Sequence, residues 1–359
     1  MTASGPLLLN RCNIAVMLTI VIIAIVLALL FDFLNGMNDA ANSIATIVST
    51  KVLSPTAAVL WAAFWNFAAF FLFGVHVANT IGKGIVDPNV VNPFIILSAL
   101  TGSVIWVYAC TRLGMPISVS HALIGGLIGP VWFTHGSSAL IGTGILKVGI
   151  FIVLSPLIGA FLGFLMMALT MWIHKKKHPM KVEKNFKVLQ LFSSAVFSLG
   201  HGSNDAQKTM GIIAVLLFSV AGTNDFIAKY LYEPNAGFHI PLWITITCYS
   251  VIALGTITGG WRVIKTLGDG LAKLKPVQGF CAETAGAITL IGTALSGIPV
   301  STTHTITGSI IGVGMTKGIA SVRWATAKNI VGAWIFTIPA TLLISGGIYL
   351  IIDAIMVLP

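Results

Sequence analysis

The chain has 359 residues, of which 56% are hydrophobic and only 8% are charged. A soluble domain carries about 25% charged residues, so this composition excludes an ordinary soluble protein and predicts an all-α polytopic membrane protein. The formal net charge of +10 would also suit a nucleic-acid binder. The lysines, however, lie mostly in short segments between apolar spans, which indicates an asymmetric membrane topology and no nucleic-acid partner.

Apolar spans follow one another along the whole chain. We predict helices over residues 14–34, 38–50, 55–80, 93–111, 116–130, 140–173, 188–200, 204–222, 241–261, 277–295, 299–315 and 324–352. A full crossing needs about 20 residues, so four of these segments are too short to cross. The short segments 38–50, 116–130, 188–200 and 299–315 predict half-helices or re-entrant helical hairpins, which must be buried in protein or line a water-filled cavity.

The first polar motif is present twice, as Asn-Gly-Met-Asn-Asp-Ala at 35–40 and His-Gly-Ser-Asn-Asp-Ala at 201–206. A charged residue inside a span costs about 3 kcal/mol on insertion scales, so such a residue is a functional hypothesis by default. We expect helix breaks at Gly36 and Gly202 that free backbone carbonyls. Together with those carbonyls, amide and carboxylate oxygens suit Na⁺ or a titrating proton. The predicted cation ligands are Asn38, Asp39, Asn204 and Asp205; the alternative is a purely structural role in which they hydrogen-bond neighbouring helices.

The second polar motif is also duplicated, as Gly-Met-Pro-Ile-Ser-Val-Ser-His at 114–121 and Gly-Ile-Pro-Val-Ser-Thr-Thr-His at 297–304. Proline is favoured in the first turn of a helix, where backbone N–H groups lack partners. Hydroxyls beside those N–H groups make an anion site without a fixed positive charge, from which a transporter can release its substrate. The hydroxyl residues are Ser118, Ser120, Ser301, Thr302 and Thr303; the alternative is that they only cap the helices.

Several further polar residues lie in or beside these motifs. His121 and His304 would donate to the anion, move a proton or orient the serines. Gln207 is a candidate anion ligand, and Lys208 would neutralise Asp205 or the anion, or form a structural salt bridge. Glu283 would be a proton site or a carboxyl kept neutral by burial.

Glycine pairs at Gly125/Gly129 and Gly308/Gly312 predict close helix packing.

The two halves form repeats of unequal length. The Asn-Asp copies are offset by 166 residues and the Pro-Ser/Thr-His copies by 183, which predicts an extra loop within 223–239. We therefore divide the chain into a first membrane repeat (1–173), a short basic linker (174–187) and a second membrane repeat (188–359). The basic linker and the segment carrying Arg262, Lys265, Lys273 and Lys275 are predicted to be cytoplasmic, with loops 81–92 and 223–240 on the opposite side. An odd number of crossings in each half would make the repeats inverted.

The motifs at 35–43, 201–211 and 299–304 resemble the duplicated signatures of the inorganic phosphate transporter (PiT) family. The resemblance covers both repeats. It implies cation-coupled uptake of inorganic phosphate, an inverted-repeat fold with two helical hairpins, and a homodimer. It also implies that Asn38, Asp39, Asn204 and Asp205 form the cation sites. The same resemblance places the hydroxyl residues of the second motif and Gln207 near phosphate.

These observations predict a secondary active transporter of the cell membrane. It would import phosphate by symport with a monovalent cation, Na⁺ in preference to H⁺, through alternating access around a midplane site. We expect no enzyme activity and no cofactor besides the transported cation. The alternatives are a sulfate/H⁺ symporter of the same fold and an anion channel.

Overall fold

The computed structural model describes residues 14–268 and 270–357, and most of them are α-helical. No strand occurs within that part of the chain, where an isolated bridge joins Val86 to Leu140. We label its helices α1 Ile14–Ser49, α2 Pro55–Ala68, α3 His76–Gly84, α4 Pro93–Leu113, α5 Val119–His135, α6 Gly142–His174, α7 Pro179–Ala221, α8 Asp225–Tyr230, α9 Leu242–Thr258, α10 Trp261–Gly268, α11 Pro276–Leu295, α12 Thr302–Met315 and α13 Trp324–Val357. By length and composition, α1, α4, α6 and α13 can each cross a membrane, and two bent pairs raise this number to six. The predicted all-α membrane fold is confirmed.

The helix breaks are not where the sequence indicated. Helices α1 and α7 run without interruption through Gly36 and Gly202, so the predicted breaks there, and the half-helices 38–50 and 188–200, are wrong. A Cβ atom on Gly36 would meet the carbonyl oxygen of Ile252, and one on Gly202 would lie 2.9 Å from the Asn66 Cα. These glycines therefore permit close helix approach.

The broken helices are α2/α3 and α9/α10. Residues 55–71 and helix α3 meet at 83°, and helices α9 and α10 meet at 75°. The second break is at Gly259, whose φ of 63° is in the left-handed region that favours glycine. Both helices of each bent pair pack against the long first helix of the other half. Helices α2 and α3 pack against α7, and helices α9 and α10 pack against α1.

The structure contains two helical hairpins, as predicted from the short segments 116–130 and 299–315. The first hairpin is α4–α5, with its tip at residues 114–118, and the second is α11–α12, with its tip at residues 296–301. The last residue of each tip, Ser118 or Ser301, caps the second helix of its hairpin. The Pro-Ser/Thr-His motifs therefore lie at hairpin tips.

The packing of the helices repeats when the two halves are exchanged. Helix α5 packs on α13 and α12 packs on α6, so each hairpin lies against the last helix of the opposite half. Within the first half α4 packs on α1, and within the second half α11 packs on α7 in the corresponding way. This reciprocity is what a pseudo-two-fold axis produces. The inversion of the repeats relative to a membrane stays a prediction.

The predicted close packing at glycine pairs is present in both hairpins. A Cβ atom on Gly308 or Gly312 would meet the backbone carbonyl of Pro156 or Ala160 in α6. Gly125 and Gly129 face residues of α13 in the corresponding way. Small residues let these backbones approach closely, which fixes each hairpin against the opposite half.

The extra residues of the second half are where the sequence placed them. Helix α8 and the 3-10 turn Pro234–Ala236 lie between α7 and α9, whereas residues 50–54 suffice between α1 and α2. The basic segment 174–187 contains the end of α6, a turn and the first part of α7. Lys175, Lys177 and Lys275 line one cavity, so the two basic segments lie at the same end of the molecule. Lys83 lies 5.6 Å from the ring centroid of Phe238, so loops 81–92 and 223–240 also share an end.

Buried apolar side chains form two clusters, and the Asn-Asp motifs lie between them. Leu34 and Ala206 belong to one cluster, while Ala41 and Phe197 belong to the other. The polar motifs therefore occupy the junction of two apolar cores, away from solvent.

Candidate functional site

Both hairpin tips meet α1 and α7 at one buried polar site. Asp39 comes from α1, Asp205 from α7, Ser120 from the first turn of α5, and Thr302 and Thr303 from the first turn of α12. All five residues are buried. Most of the site residues predicted from sequence are therefore brought together by the fold, although they come from four helices.

The two carboxylates lie close together at the centre of the site. Asp39, Asp205 and His201 each offer one ligand atom, and these atoms lie within 4.8 Å of one another. The Thr302 Oγ1 is 3.1 Å from Asp39 Oδ2 and 3.2 Å from Asp205 Oδ2, so one hydroxyl bridges the two repeats. Like charges repel strongly in a medium of low dielectric constant, so this pair favours a bound cation or proton.

Lys208 forms an ion pair with one of these two carboxylates. It lies one turn after Asp205 on α7 and forms an ion pair with Asp205 Oδ1. Its Nζ also donates to Ser120 Oγ at 2.5 Å and to the Val300 carbonyl oxygen at 2.9 Å. Lys208 thus connects α7 to both hairpin tips.

Asn42 occupies the matching position in the first repeat. It lies one turn after Asp39 on α1, and its Nδ2 donates to Thr302 Oγ1 at 3.1 Å and to Thr303 Oγ1 at 3.0 Å. Thr303 in turn donates to Asp39 Oδ1 at 3.4 Å. A neutral amide therefore stands in the first repeat where the second has an ammonium.

Two of the predicted anion ligands act as helix caps. Ser118 Oγ accepts from the His121 backbone N–H at 3.2 Å, and Ser301 Oγ accepts from the His304 backbone N–H at 3.2 Å. Each hydroxyl keeps its own proton available for a further bond. Ser118 and Ser301 thus cap the helices, as the structural alternative predicted. The hydroxyls of Ser120, Thr302 and Thr303 instead contact the charged side chains of Lys208 and Asp39.

The motif histidines join the two hairpins. The rings of His121 and His304 meet edge to face, with centroids 4.7 Å apart. His304 also stacks on Trp334 of α13 at 3.6 Å, and Trp334 donates to the carbonyl oxygen of Pro116 in the first tip at 3.1 Å. Within the described part of the chain these ring contacts join the hairpins and do not involve the motif serines, so the orienting role of the two histidines stays a prediction.

His201 also belongs to the site, although the first repeat has no histidine at the matching position, which is Asn35. Its Nε2 lies 3.2 Å from Asp205 Oδ2, and its Nδ1 lies 3.0 Å from Asn66 Oδ1. Asn66 is fixed by its own bond from Nδ2 to Thr256 Oγ1 at 3.0 Å. The spacing of His201 and Asp205, four residues apart on a helix, was the available signal. Asn66 gave none, because it comes from α2.

The motif asparagines bond to the first helix of each hairpin. Asn38 Nδ2 donates to Thr111 Oγ1 at 2.7 Å, and Asn204 Nδ2 donates to the Leu290 carbonyl oxygen at 2.9 Å. The Oδ1 atoms of Asn38, Asn42 and Asn204 are buried and have no hydrogen-bond partner among the described residues. Buried acceptors of this kind suit a cation ligand.

Gln207 and Glu283 make their contacts elsewhere. Gln207 Oε1 accepts from the backbone N–H groups of Val77 and Ala78 at 2.8 and 3.2 Å, where it caps α3. Glu283 accepts from Thr46 at 2.6 Å, from Gln190 at 2.8 Å and from Ser193 at 2.5 Å. Thr46 is two turns beyond Asp39 on α1, about 10 Å along the helix axis, so Glu283 belongs to a separate polar cluster.

Comparisons with known proteins identify the family of this chain. The model of the phosphate transporter family matches residues 35–345. A "Probable low-affinity inorganic phosphate transporter" of Rhizobium meliloti (strain 1021) is 53% identical over 92% of this chain and 95% of its own length. A protein with the same name in Bacillus subtilis (strain 168) is 37% identical over 95% of this chain and 99% of its own length.

A solved structure, "The sodium-dependent phosphate transporter", shares the fold with a TM-score of 0.84 and 27% identity. The similarity covers 94% of this chain and all of that one. The polar site built from both duplicated motifs lies within the matched residues. The chain is therefore a membrane transporter and not an enzyme, and it belongs to the phosphate transporter family.

Proposed function

We propose that this chain imports inorganic phosphate by symport with a monovalent cation, Na⁺ in preference to H⁺. The observation that carries this proposal is the pair Asp39 and Asp205, one from each repeat, bridged by Thr302 in a buried site. Two carboxylates so close together would repel an anion unless a cation were bound first. The relative whose printed name is sodium-dependent supports the choice of Na⁺.

We assign the cation to the Asn-Asp motifs. Asn38, Asp39, Asn204 and Asp205 offer carboxylate oxygens and buried amide oxygens without partners among the described residues. Such oxygens suit a hard cation. The backbone oxygens expected from breaks at Gly36 and Gly202 would come instead from the hairpin tips, where Val300 already presents its carbonyl to Lys208.

We assign phosphate to the hairpin tips. The N-termini of α5 and α12 present backbone N–H groups beside the hydroxyls of the second motif. The ligands would be Ser118, Ser120, Ser301, Thr302 and Thr303, with Gln207 at greater distance because it caps α3. Helix N-termini and hydroxyls bind phosphate without the permanent charge that would slow its release.

Cation and anion binding would be coupled through the shared threonine. With a cation bound, Thr302 is freed from satisfying two carboxylates and its hydroxyl can turn to phosphate. The cation would therefore raise phosphate affinity, and phosphate must raise cation affinity by the same factor.

Alternating access would separate the hairpin tips in turn. The site is buried in this structure, and the rings of His121 and His304 close the contact between the tips. A cavity of about 530 Å³ borders Gly114, Met115 and Pro116 in the first tip, and it is a candidate route to the site. We also propose a cell-membrane location with linker 174–187 in the cytoplasm, inverted repeats and a homodimer.

The test is phosphate uptake into proteoliposomes with Na⁺ and pH gradients imposed separately. We expect uptake to follow the Na⁺ gradient and Asp39→Asn to abolish this dependence. Asp225→Asn removes the same charge at an exposed position on α8 and is the matched control. Uptake driven by the phosphate gradient alone would indicate a channel, and strong competition by sulfate would favour the sulfate alternative. Either result would contradict the proposal.

A further inference from the structure

We propose that the ammonium of Lys208 permanently occupies one of two repeat-related cation positions, so that the transporter exchanges a cation only at the other. This inference rests on the proposed symport. It concerns the number of cations that the site binds and which residues hold them.

The surroundings of Lys208 Nζ resemble those of a bound alkali cation. Its three neighbours are a carboxylate oxygen of Asp205, the hydroxyl of Ser120 and the carbonyl oxygen of Val300. A lysine ammonium has three N–H donors, and each of these oxygens can accept one. Because all three donors are used inside the protein, Lys208 has none left for a transported anion.

Comparison of the repeats supports the assignment of this position to a cation. Asn42 of the first repeat matches Lys208, and Thr303 matches Ser120. The structure reproduces the match, because Asn42 Nδ2 donates to Thr303 Oγ1 as Lys208 Nζ donates to Ser120 Oγ. The same position is therefore filled by a charge in one repeat and by a neutral amide in the other.

The first repeat thus has no fixed positive charge at the matching position beside Asp39. By the repeat correspondence, its oxygens are those of Asp39, Thr303 and the carbonyl of Ile117, which matches Val300. No basic side chain among the described residues forms an ion pair with Asp39. The buried Asn42 Oδ1, which lacks a partner among the described residues, is a further available ligand.

The charge balance favours one exchangeable cation. Asp39, Asp205 and Lys208 together carry one net negative charge, which one monovalent cation neutralises. Before phosphate binds, a second cation would give the site a positive charge in a medium where uncompensated charge is costly. Lys208 would therefore set the stoichiometry by remaining in the site while the other cation crosses.

Two reciprocal substitutions test this assignment. Lys208→Asn gives the second repeat the side chain of the first, and Asn42→Lys gives the first repeat the side chain of the second. The double variant moves the tethered charge from one repeat to the other and is the matched control. The measurement is the number of radioactive Na⁺ ions bound per purified chain in detergent, with the Na⁺ dependence of phosphate uptake measured in parallel.

We expect about one Na⁺ per chain in the wild type, about two in Lys208→Asn, about none in Asn42→Lys and about one in the double variant. The Hill coefficient of phosphate uptake for Na⁺ cannot exceed the number of Na⁺ sites. It should therefore be about 1 in the wild type and should rise toward about 2 in Lys208→Asn, which has two sites. Should Lys208→Asn fail to fold, Asn42→Lys decides alone, because loss of Na⁺ binding supports the assignment and retention overturns it.

The result against the proposal differs from the result against the proposed function. If Lys208→Asn still binds one Na⁺ and only its phosphate KM rises, Lys208 is an anion ligand and the inference is wrong. If neither the wild type nor Lys208→Asn binds Na⁺, the inference is also overturned. Phosphate uptake by the wild type that ignores Na⁺ and pH gradients would instead refute the symport itself.

Discussion

The two motif aspartates should respond in opposite ways when each is replaced by asparagine. Asp205→Asn removes the partner of the buried Lys208 ammonium and leaves it with Ser120 Oγ and the Val300 carbonyl oxygen. Removing one partner of a buried ion pair costs about 3–5 kcal/mol. We therefore expect Asp205→Asn to lower the free energy of unfolding by about that amount.

Asp39→Asn should leave stability unchanged or raise it. The described residues give Asp39 hydroxyl donors but no ion-pair partner. Its ligand oxygen lies within 4.8 Å of that of Asp205, and at an effective dielectric constant of about 20 two such charges repel by about 3.5 kcal/mol or more. Part of this repulsion is offset by Lys208, so the expected gain is smaller than the repulsion itself.

The assay is thermal unfolding of the purified variants in detergent without Na⁺. The midpoint should fall clearly for Asp205→Asn and should not fall for Asp39→Asn. Adding Lys208→Met to Asp205→Asn should recover most of the loss, because the unpaired ammonium is then removed. Equal losses in the two single variants would refute the reasoning, since they would mean that Lys208 does not distinguish the carboxylates.

Three further predictions concern the surroundings of the site. Thr302→Val should raise the phosphate concentration needed for half-maximal uptake by about tenfold or more, because phosphate loses the hydroxyl that turns to it when a cation is bound, and a hydrogen bond to a charged group contributes about 1.5–3 kcal/mol. Gly308→Leu should destabilise the protein by about 1–3 kcal/mol or more in the same thermal assay, since its side chain would meet the Pro156 carbonyl. Gly292→Ala is the control and should be tolerated, because a Cβ atom there meets nothing within 4 Å. Gln207→Leu should lower the thermal midpoint by leaving two N–H groups of α3 without their acceptor, at a cost of about 1–3 kcal/mol.

Much of the site could be read from the sequence because the chain presents its two polar motifs twice. A carboxylate within an apolar segment is costly, so Asp39 and Asp205 were informative without any structure. The spacing of proline and serine at residues 116–118 predicted a helix start, and Ser118 indeed caps α5. Local rules of this kind depend on neighbours in the chain, which the sequence contains.

The course of the long helices was not predictable in the same way. Glycine at 36 and 202 is compatible with a helix break or with close helix packing, and local pattern does not separate the two. The decision belongs to the helices packed against them, because Ile252 and Asn66 approach so closely that only glycine fits. The contacts of Gln207 were not predictable for a similar reason, since the N–H groups that donate to it lie on α3, more than a hundred residues away.

The sequence by itself determined the membrane class, the duplication, the two hairpins and the residue types of the site. Only the tertiary structure decided which of these residues meet. Thr302 bridges carboxylates of two different repeats, and Lys208 turns to Asp205, Ser120 and Val300, while Asp39 is left without an ion-pair partner among the described residues. The physical reason is that hydrogen bonds and ion pairs depend on distances between atoms from separate helices, and those distances are set by how the two halves pack.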